Sequence, residues 1–207
     1  MKIFRMVAVV AGLVLAGCGG SEEPGDDTPP ATCSAANCTG CCFNNTCQTG
    51  NTASACGKAG AACLKCASVQ VCKTDQTCGV DPASVWRVQP VSARISASNN
   101  GSSWDGDNSP PDVFVAMACP GSTVATVTPE VESYTPAWST GGCTATAGQL
   151  LAERWGCQLG DSDLSVNDPM TDVLTYQLTE AHFVEGNLTL AASGGMMSMT
   201  VQLQKQP

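Results

Sequence analysis

Positive charge is scarce in this chain. Nine Lys and Arg stand against eighteen Asp and Glu, for a formal net charge of −9 over 207 residues. Without a basic face, a chain has no sequence-independent grip on nucleic acid. Charge alone will not hold it to anionic lipid either. Histidine is scarcer still, with His182 as the single copy. Between residues 33 and 78 large apolar side chains nearly vanish, and Phe43, Leu64, Val69 and Val71 almost exhaust them. So small a core cannot hold a fold by burial. The apolar run Met6–Ala16 is too short to span a membrane. Cysteine, by contrast, is plentiful, at fourteen residues.

The N-terminus has the make-up of a targeting segment. Lys2 and Arg5 precede the apolar run, as in a signal peptide. The run ends in Leu15-Ala16-Gly17-Cys18, which resembles the bacterial lipoprotein signal. That resemblance implies cleavage before Cys18 and lipidation of its thiol. Several acyl chains anchor stably where one would not. Loss of Lys2 and Arg5 would leave the mature chain two charges more negative. Gly19 follows the lipidated position, which favours the outer membrane or cell surface over the inner membrane. Residues 18–32 are rich in Gly, Pro and acids and are expected to form a disordered tether.

In an exported chain, cysteines read as disulfides. Residues 33–80 form a cysteine-rich module with Cys33, Cys38, Cys41, Cys42, Cys47, Cys56, Cys63, Cys66, Cys72 and Cys78. Cross-links there constrain the unfolded chain in place of a core. Their number allows up to five internal bridges, and spacing leaves the pairing open. Cys38-x-x-Cys41 and Cys63-x-x-Cys66 as zinc half-sites are the lesser alternative. Cys119, Cys143 and Cys157 lie further on, so one bridge among them leaves an odd thiol.

After a Gly79-Val-Asp-Pro82 joint the pattern changes. Apolar residues alternate at Val91, Ala93, Ile95; at Val113, Val115, Met117, Cys119; and at Trp155, Cys157, Leu159. They do so again at Leu174, Tyr176, Leu178 and at Met197, Met199, Val201, Leu203. A period of two broken by Gly, Pro, Asn and Asp predicts an all-β domain, an antiparallel sandwich over 86–207. Ala147–Arg154 is the exception, a short helix or a loop. Trp86, Trp104, Trp138 and Trp155 are expected in the core. Met196, Met197 and Met199 are expected to fill the inner side of the last strand and its turn.

Two acidic stretches stand out in this second domain. One runs from Trp104 through Asp105, Asp107 and Asp112; the other, from Gly160, holds Asp161, Asp163 and Asp168. Clustered carboxylates repel unless a cation or proton intervenes. Each stretch lies at a predicted strand end, and loops at one end of a sandwich can bring distant carboxylates together. A hard divalent cation, calcium, suits such oxygens.

Pro111-Asp112-Val113-Phe114-Val115, the Thr-rich segment Val124–Thr128, Pro136-Ala137-Trp138, Gly160-Asp161-Ser162-Asp163 and Asn167-Asp168 follow one another in the order found in C2 domains. The resemblance covers nearly all of 86–207. It implies a C2-like sandwich with calcium held by Asp112, Asp161, Asp163, Asp168 and one of Asp105 or Asp107. Asp107 lies five residues before Asp112 and Asp105 seven, where about six is usual, so the choice between them stays open. The whole layout is similar to lipoproteins of myxobacteria with cysteine-rich modules.

The same residues admit other readings. Asp105-x-Asp107-x-Ser109 and Asp161-x-Asp163-x-Ser165 faintly resemble EF-hand loops, but both lack the glycine at the sixth position. Gly160-Asp161-Ser162 resembles the start of a GDSL-type esterase block, but His182 lacks an Asp three residues before it. The expected function is therefore non-catalytic: a membrane-anchored lipoprotein whose C2-like domain binds anionic lipid or an acidic protein through calcium. The alternative is a structural or adhesive surface lipoprotein with a metal-free sandwich.

Overall fold

The computed structural model describes residues 32–163 and 167–207. The expectations for the signal peptide, Cys18 and the tether up to residue 31, and for Ser165, lie outside the described residues.

The cysteine-rich segment folds as three small antiparallel ribbons. They are β1 (Cys41–Phe43) with β2 (Thr46–Gln48), β3 (Asn51–Thr52) with β4 (Ala55–Cys56), and β5 (Gln70–Cys72) with β6 (Cys78–Val80). The first ribbon turns on Asn44 and Asn45, both at positive φ (47° and 60°). That suits a two-residue hairpin, whose primed turn favours Asn. Its ten cysteines pair only with one another, as Cys33–Cys42, Cys38–Cys47, Cys41–Cys63, Cys56–Cys72 and Cys66–Cys78. The sulfurs of two cysteine trios lie within 4.8 Å, Cys33/Cys38/Cys42 and Cys56/Cys66/Cys78. All six are consumed by these bridges and are not metal ligands.

Val80 at the end of β6 is buried in the core of the following domain. Its N–H donates to Glu180 Oε2 at 2.7 Å, and Lys73 Nζ lies 3.6 Å from Glu180 Oε1. The joint is thus packed against the sandwich as well as covalently continuous with it.

The second domain is the antiparallel β-sandwich expected of a C2-like chain. One sheet has the order β11 (Cys143–Thr146), β7 (Val85–Ile95), β16 (Met196–Lys205), β15 (Asn187–Leu190). The other has β10 (Val131–Glu132), β8 (Asp112–Ala118), β12 (Trp155–Asp161), β13 (Asp168–Pro169), with β9 (Thr126–Val127) on β8 and β14 (Leu174–Tyr176) on β12. Val113, Val115 and Met117 of β8 and Trp155, Cys157 and Leu159 of β12 supply one inner face. Trp86, Val88, Ala93 and Ile95 of β7 and Met199, Val201 and Leu203 of β16 supply the other. Two short helices cap the layers. In α1 (Ala147–Ala152), Gln149 N–H donates to Thr146 Oγ1 (3.2 Å) and Thr146 N–H to Gln149 Oε1 (3.0 Å), a capping box. In α2 (Glu180–Glu185), Phe183 packs edge-on against Trp86, ring centroids 4.9 Å apart. Cys119 at the end of β8 is bridged to Cys143 in β11, tying one sheet to the other. Cys157 is left as a free, buried thiol.

Two features depart from strict alternation. Between β16 and β7 the register shifts at Thr200/Val201, so Val91 is an extra residue on β7. A bulge switches which parity faces inward. Trp86 and Val88 point to the core before it, Ala93 and Ile95 after it, and Val91 is only half-buried. A second shift lies between Met196 and Ser198. It turns Met197 outward, 54 % exposed, so Met197 does not fill the inner side as expected, while Met196 and Met199 do.

Gly142 marks the entry to β11. It has φ +86°, and a Cβ there would lie 2.3 Å from the Val88 carbonyl oxygen. Gly142→Ala is therefore expected to cost about 1–3 kcal/mol through strain at positive φ, measured as a lower denaturation midpoint with unchanged slope.

Candidate metal centre

The two acidic stretches meet at one end of the six-stranded sheet. Asp112 opens β8 and Asp161 closes β12 next to it, with Asp161 opposite Val113 in the ladder. The two are directly joined: Asp161 Oδ1 accepts the Asp112 N–H at 2.8 Å. Asp161 is 1 % exposed, since its parity along β12 is that of the core residues Trp155, Cys157 and Leu159.

Around this pair lies an open basin of about 860 Å³. Asp105, Asp107, Asp112, Asp163 and Asp168 line it, so the fold gathers five of the six expected ligands at its wall, with Asp161 beneath. Glu130 and Glu132 line it too. Neither was expected; they arrive because β10 pairs with β8, placing Glu132 opposite Asp112. The signal that could have found them is the alternation Glu130-Val131-Glu132, with Val131 packed against the core. Among the described residues no Lys or Arg lines the basin.

Two acidic pairs stand directly opposite across the ladder, Glu132 with Asp112 and Asp168 with Asp161. Like charges so placed destabilise a sheet. The carboxyls at the sheet end are also raised, by burial and by acids of the neighbouring loops. Burial pushes the Asp161 carboxyl up to about 6, reinforced by repulsion from Asp105, Asp163 and Asp112 and opposed by the Asp112 N–H. Asp112 is raised as well, first by burial and then by Asp105, Glu130, Asp163 and Asp107.

The first loop separates Asp105 from Asp107. Asp107 Oδ1 accepts the backbone N–H (3.0 Å) and hydroxyl (2.7 Å) of Ser109, which holds its carboxyl below the usual range. Asp105 is the stronger electrostatic neighbour of both Asp112 and Asp161. The Ser109 hydroxyl lies within 3.2 Å of Asp105 Oδ2 as well, so both aspartates stay at the rim beside half-buried Asp112 and buried Asp161.

The donor set is all oxygen, without His or Cys, which fits a hard divalent cation such as calcium. Among the described residues no three carboxylates bring one oxygen each within 4.8 Å of one another. Gathering them on an ion therefore requires rotamer changes in the groups around the rim.

Ser162 and His182 sit in separate hydrogen bonds. Ser162 Oγ donates to Glu130 Oε1 at 2.7 Å. His182 Nδ1 accepts the Thr179 N–H at 3.2 Å at the start of α2.

No family model matches the chain. No curated protein matches it either. Solved structures that overlap it include a C2 domain (13 % identity, TM-score 0.43, covering 60 % of this chain and 99 % of that one). The A-type C2 domain of a plant extended synaptotagmin 1 overlaps at 11 % identity and TM-score 0.42, covering 61 % of this chain and 98 % of that one. The paired A- and B-type C2 domains of extended synaptotagmin 2, calcium bound, overlap at 16 % identity and TM-score 0.42, covering 59 % and 46 %. These overlaps are partial, and the strand pairing carries the assignment of fold. That pairing makes the chain a disulfide-rich module packed onto a C2-like antiparallel sandwich.

Proposed function

We propose that this chain is an exported lipoprotein, anchored through Cys18, whose sandwich is a non-catalytic binding module that works with calcium. The observation that carries the reading is the basin wall: among the described residues, seven carboxylates and no basic residue, with buried Asp161 below. Such a wall is destabilised by its own charge, and a divalent cation offsets part of it. With calcium in place, the ion would offset part of the wall's charge and offer a coordination point to an anionic lipid head group or to a carboxylate of an acidic protein surface. In this reading the module is non-catalytic, with Ser162 bonded to Glu130 and His182 to Thr179 and not to each other. An outer-membrane or cell-surface location rests on the sequence around Cys18 and on six disulfides, which suit an oxidising compartment. A structural or adhesive lipoprotein that leaves the basin metal-free is the second reading, favoured by the spread of the carboxylates.

Calcium titration of the full chain in detergent, followed by calorimetry, separates the two. Saturable binding with Kd on the order of 10⁻⁴–10⁻³ M, the range of extracellular modules, is expected. Asp163→Asn should weaken it. Absence of saturable heat in the parent chain would leave only the metal-free reading. Phosphatidylserine vesicles sedimented with a Cys18→Ser chain, with and without calcium, then test lipid against protein as the partner.

A further inference from the structure

A second concavity, of about 600 Å³, shares no lining residue with the acidic basin. Ser96, Asn99, Asn100, Trp104, Gln158 and Asp172 contribute to its wall. Trp104 was expected in the core with the other tryptophans, yet it alone of the four is only half-buried.

The indole is fixed from several sides. Its Nε1–H donates to the Ser96 carbonyl at 2.8 Å. Gly195 lies against the ring: a Cβ there would stand 2.4 Å from Cη2, so only glycine admits the indole. The Gly195 N–H donates to the Met170 carbonyl and the Ser96 N–H to the Gly195 carbonyl, each at 2.8 Å. Three chain segments are thereby locked around one aromatic plate. Gln158 is held by a 3.0 Å bond from Nε2 to the Thr171 carbonyl. Asn100, at φ +51°, donates from Nδ2 to Asn99 Oδ1 at 3.2 Å.

The lining chemistry selects the ligand. Among the described residues no Lys or Arg is in the wall and Asp172 is its only charged side chain, so these residues offer a phosphate or other anion no cationic partner. Apart from Trp104, Pro169 and Met170 the wall is hydroxyl, amide, carboxylate and glycine, so an acyl chain would strand those polar groups. What fits is a ring that is apolar on its C–H face and hydroxylated around its edge. An indole stacks on the first, and amides and a carboxylate donate to and accept from the second. Ligand clefts run to about 300–1,000 Å³, so this one admits roughly one or two sugar rings.

We infer that this cleft binds neutral carbohydrate, with Trp104 as the stacking platform and Asn99, Asn100, Gln158 and Asp172 as the hydrogen-bonding groups. The site is independent of calcium and stands or falls apart from the acidic basin.

The test titrates the full chain, in chelator, with oligomers of glucose, mannose, galactose and N-acetylglucosamine, read by tryptophan fluorescence and calorimetry. At least one series binds, Trp104→Ala weakens it by at least about tenfold, and Trp104→Phe restores part of the loss. Asn100→Gly, which keeps the positive φ, weakens it too; if Trp104→Ala does not fold, this variant and Trp104→Phe decide. Asp163→Asn leaves sugar binding unchanged. The inference is overturned if no series binds saturably, or if binding survives both Trp104→Ala and Asn100→Gly. Binding that needs calcium and disappears in Asp163→Asn would place the sugar at the basin and equally overturn it.

Discussion

Asp161→Asn will melt above the parent chain in chelator and below it in saturating calcium. The two signs come from one side chain. In the ion-free protein, Asp161 is 1 % exposed and surrounded by other carboxylates, so its charge is a burden. An asparagine keeps the Oδ1 that accepts the Asp112 N–H and removes that charge. With calcium the same charge becomes an asset, and the amide is a weaker ligand. A hundredfold excess of calcium over Kd stabilises the parent by about 2.7 kcal/mol, roughly 5–10 °C in Tm for a domain of this size. The parent should gain that increment and Asp161→Asn should lose most of it. Equal increments in both chains would remove Asp161 from the ligand set.

The same carboxyl sets the direction of the pH response. Folded Asp161 holds its proton to about 6, whereas its ordinary value is 3.8. Between these two values the folded chain binds more protons than the unfolded one. This contribution to stability is fully present below 3.8 and is lost as pH rises through about 6. Asp112, also raised, acts in the same direction. Asp75 and Asp107 are lowered, so their opposite contribution is lost only as pH falls below the ordinary carboxylate value. In chelator, Tm should therefore fall between roughly pH 4.5 and 6.5, where the contribution of the raised carboxyls is lost. Asp161→Asn should flatten that fall, and calcium should reverse it, because the ion binds the ionised carboxylates. A parent Tm that rises across this window in chelator would contradict the reading.

The second large effect belongs to Cys119–Cys143. This bridge joins the two sheets and closes a segment with a sequence separation of 24. Loop-closure entropy for a ring of that length corresponds to about 3–4 kcal/mol. Cys119→Ala/Cys143→Ala should lose stability of this order, seen in the denaturant midpoint. The closed segment also carries β9 and β10, and with them Glu130 and Glu132 of the basin. β10 holds to β8 through only two residue pairs, Val131 with Val113 and Glu132 with Asp112. Opening the ring should accordingly weaken calcium binding as well as stability. A loss under about 0.5 kcal/mol, the scale of an ordinary surface change, would show that the sheets register without the bridge.

How much of this was legible depended on whether a residue's role was local. β8 and β12 alternate without interruption, so their inward residues could be named from sequence. β7 and β16 could not be read so simply, because each carries a bulge that only its partner reveals. Val91 and Met197 were misplaced for that reason. β11 and β15 are four residues each, and their Thr- and Asn-containing stretches give too short a pattern to stand out. The six aspartates announced themselves by clustering. Glu130 and Glu132 did not, since their place follows from a cross-strand pairing. Trp104 resembles the other tryptophans in sequence, and only the close approach of Gly195 sets it apart.

Cys157 gives the molecule a stopwatch. The thiol is buried in β12, and burial alone pushes it up to about 12, so almost no thiolate exists to react at neutral pH. All twelve other described cysteines are locked in bridges. An alkylating reagent can therefore mark the described part of the native chain only in the moments when the inner face of β12 swings open. The rate of that marking counts openings of the core directly. It would time how long calcium, a sugar or the Cys119–Cys143 bridge keeps the sandwich shut, without any denaturant.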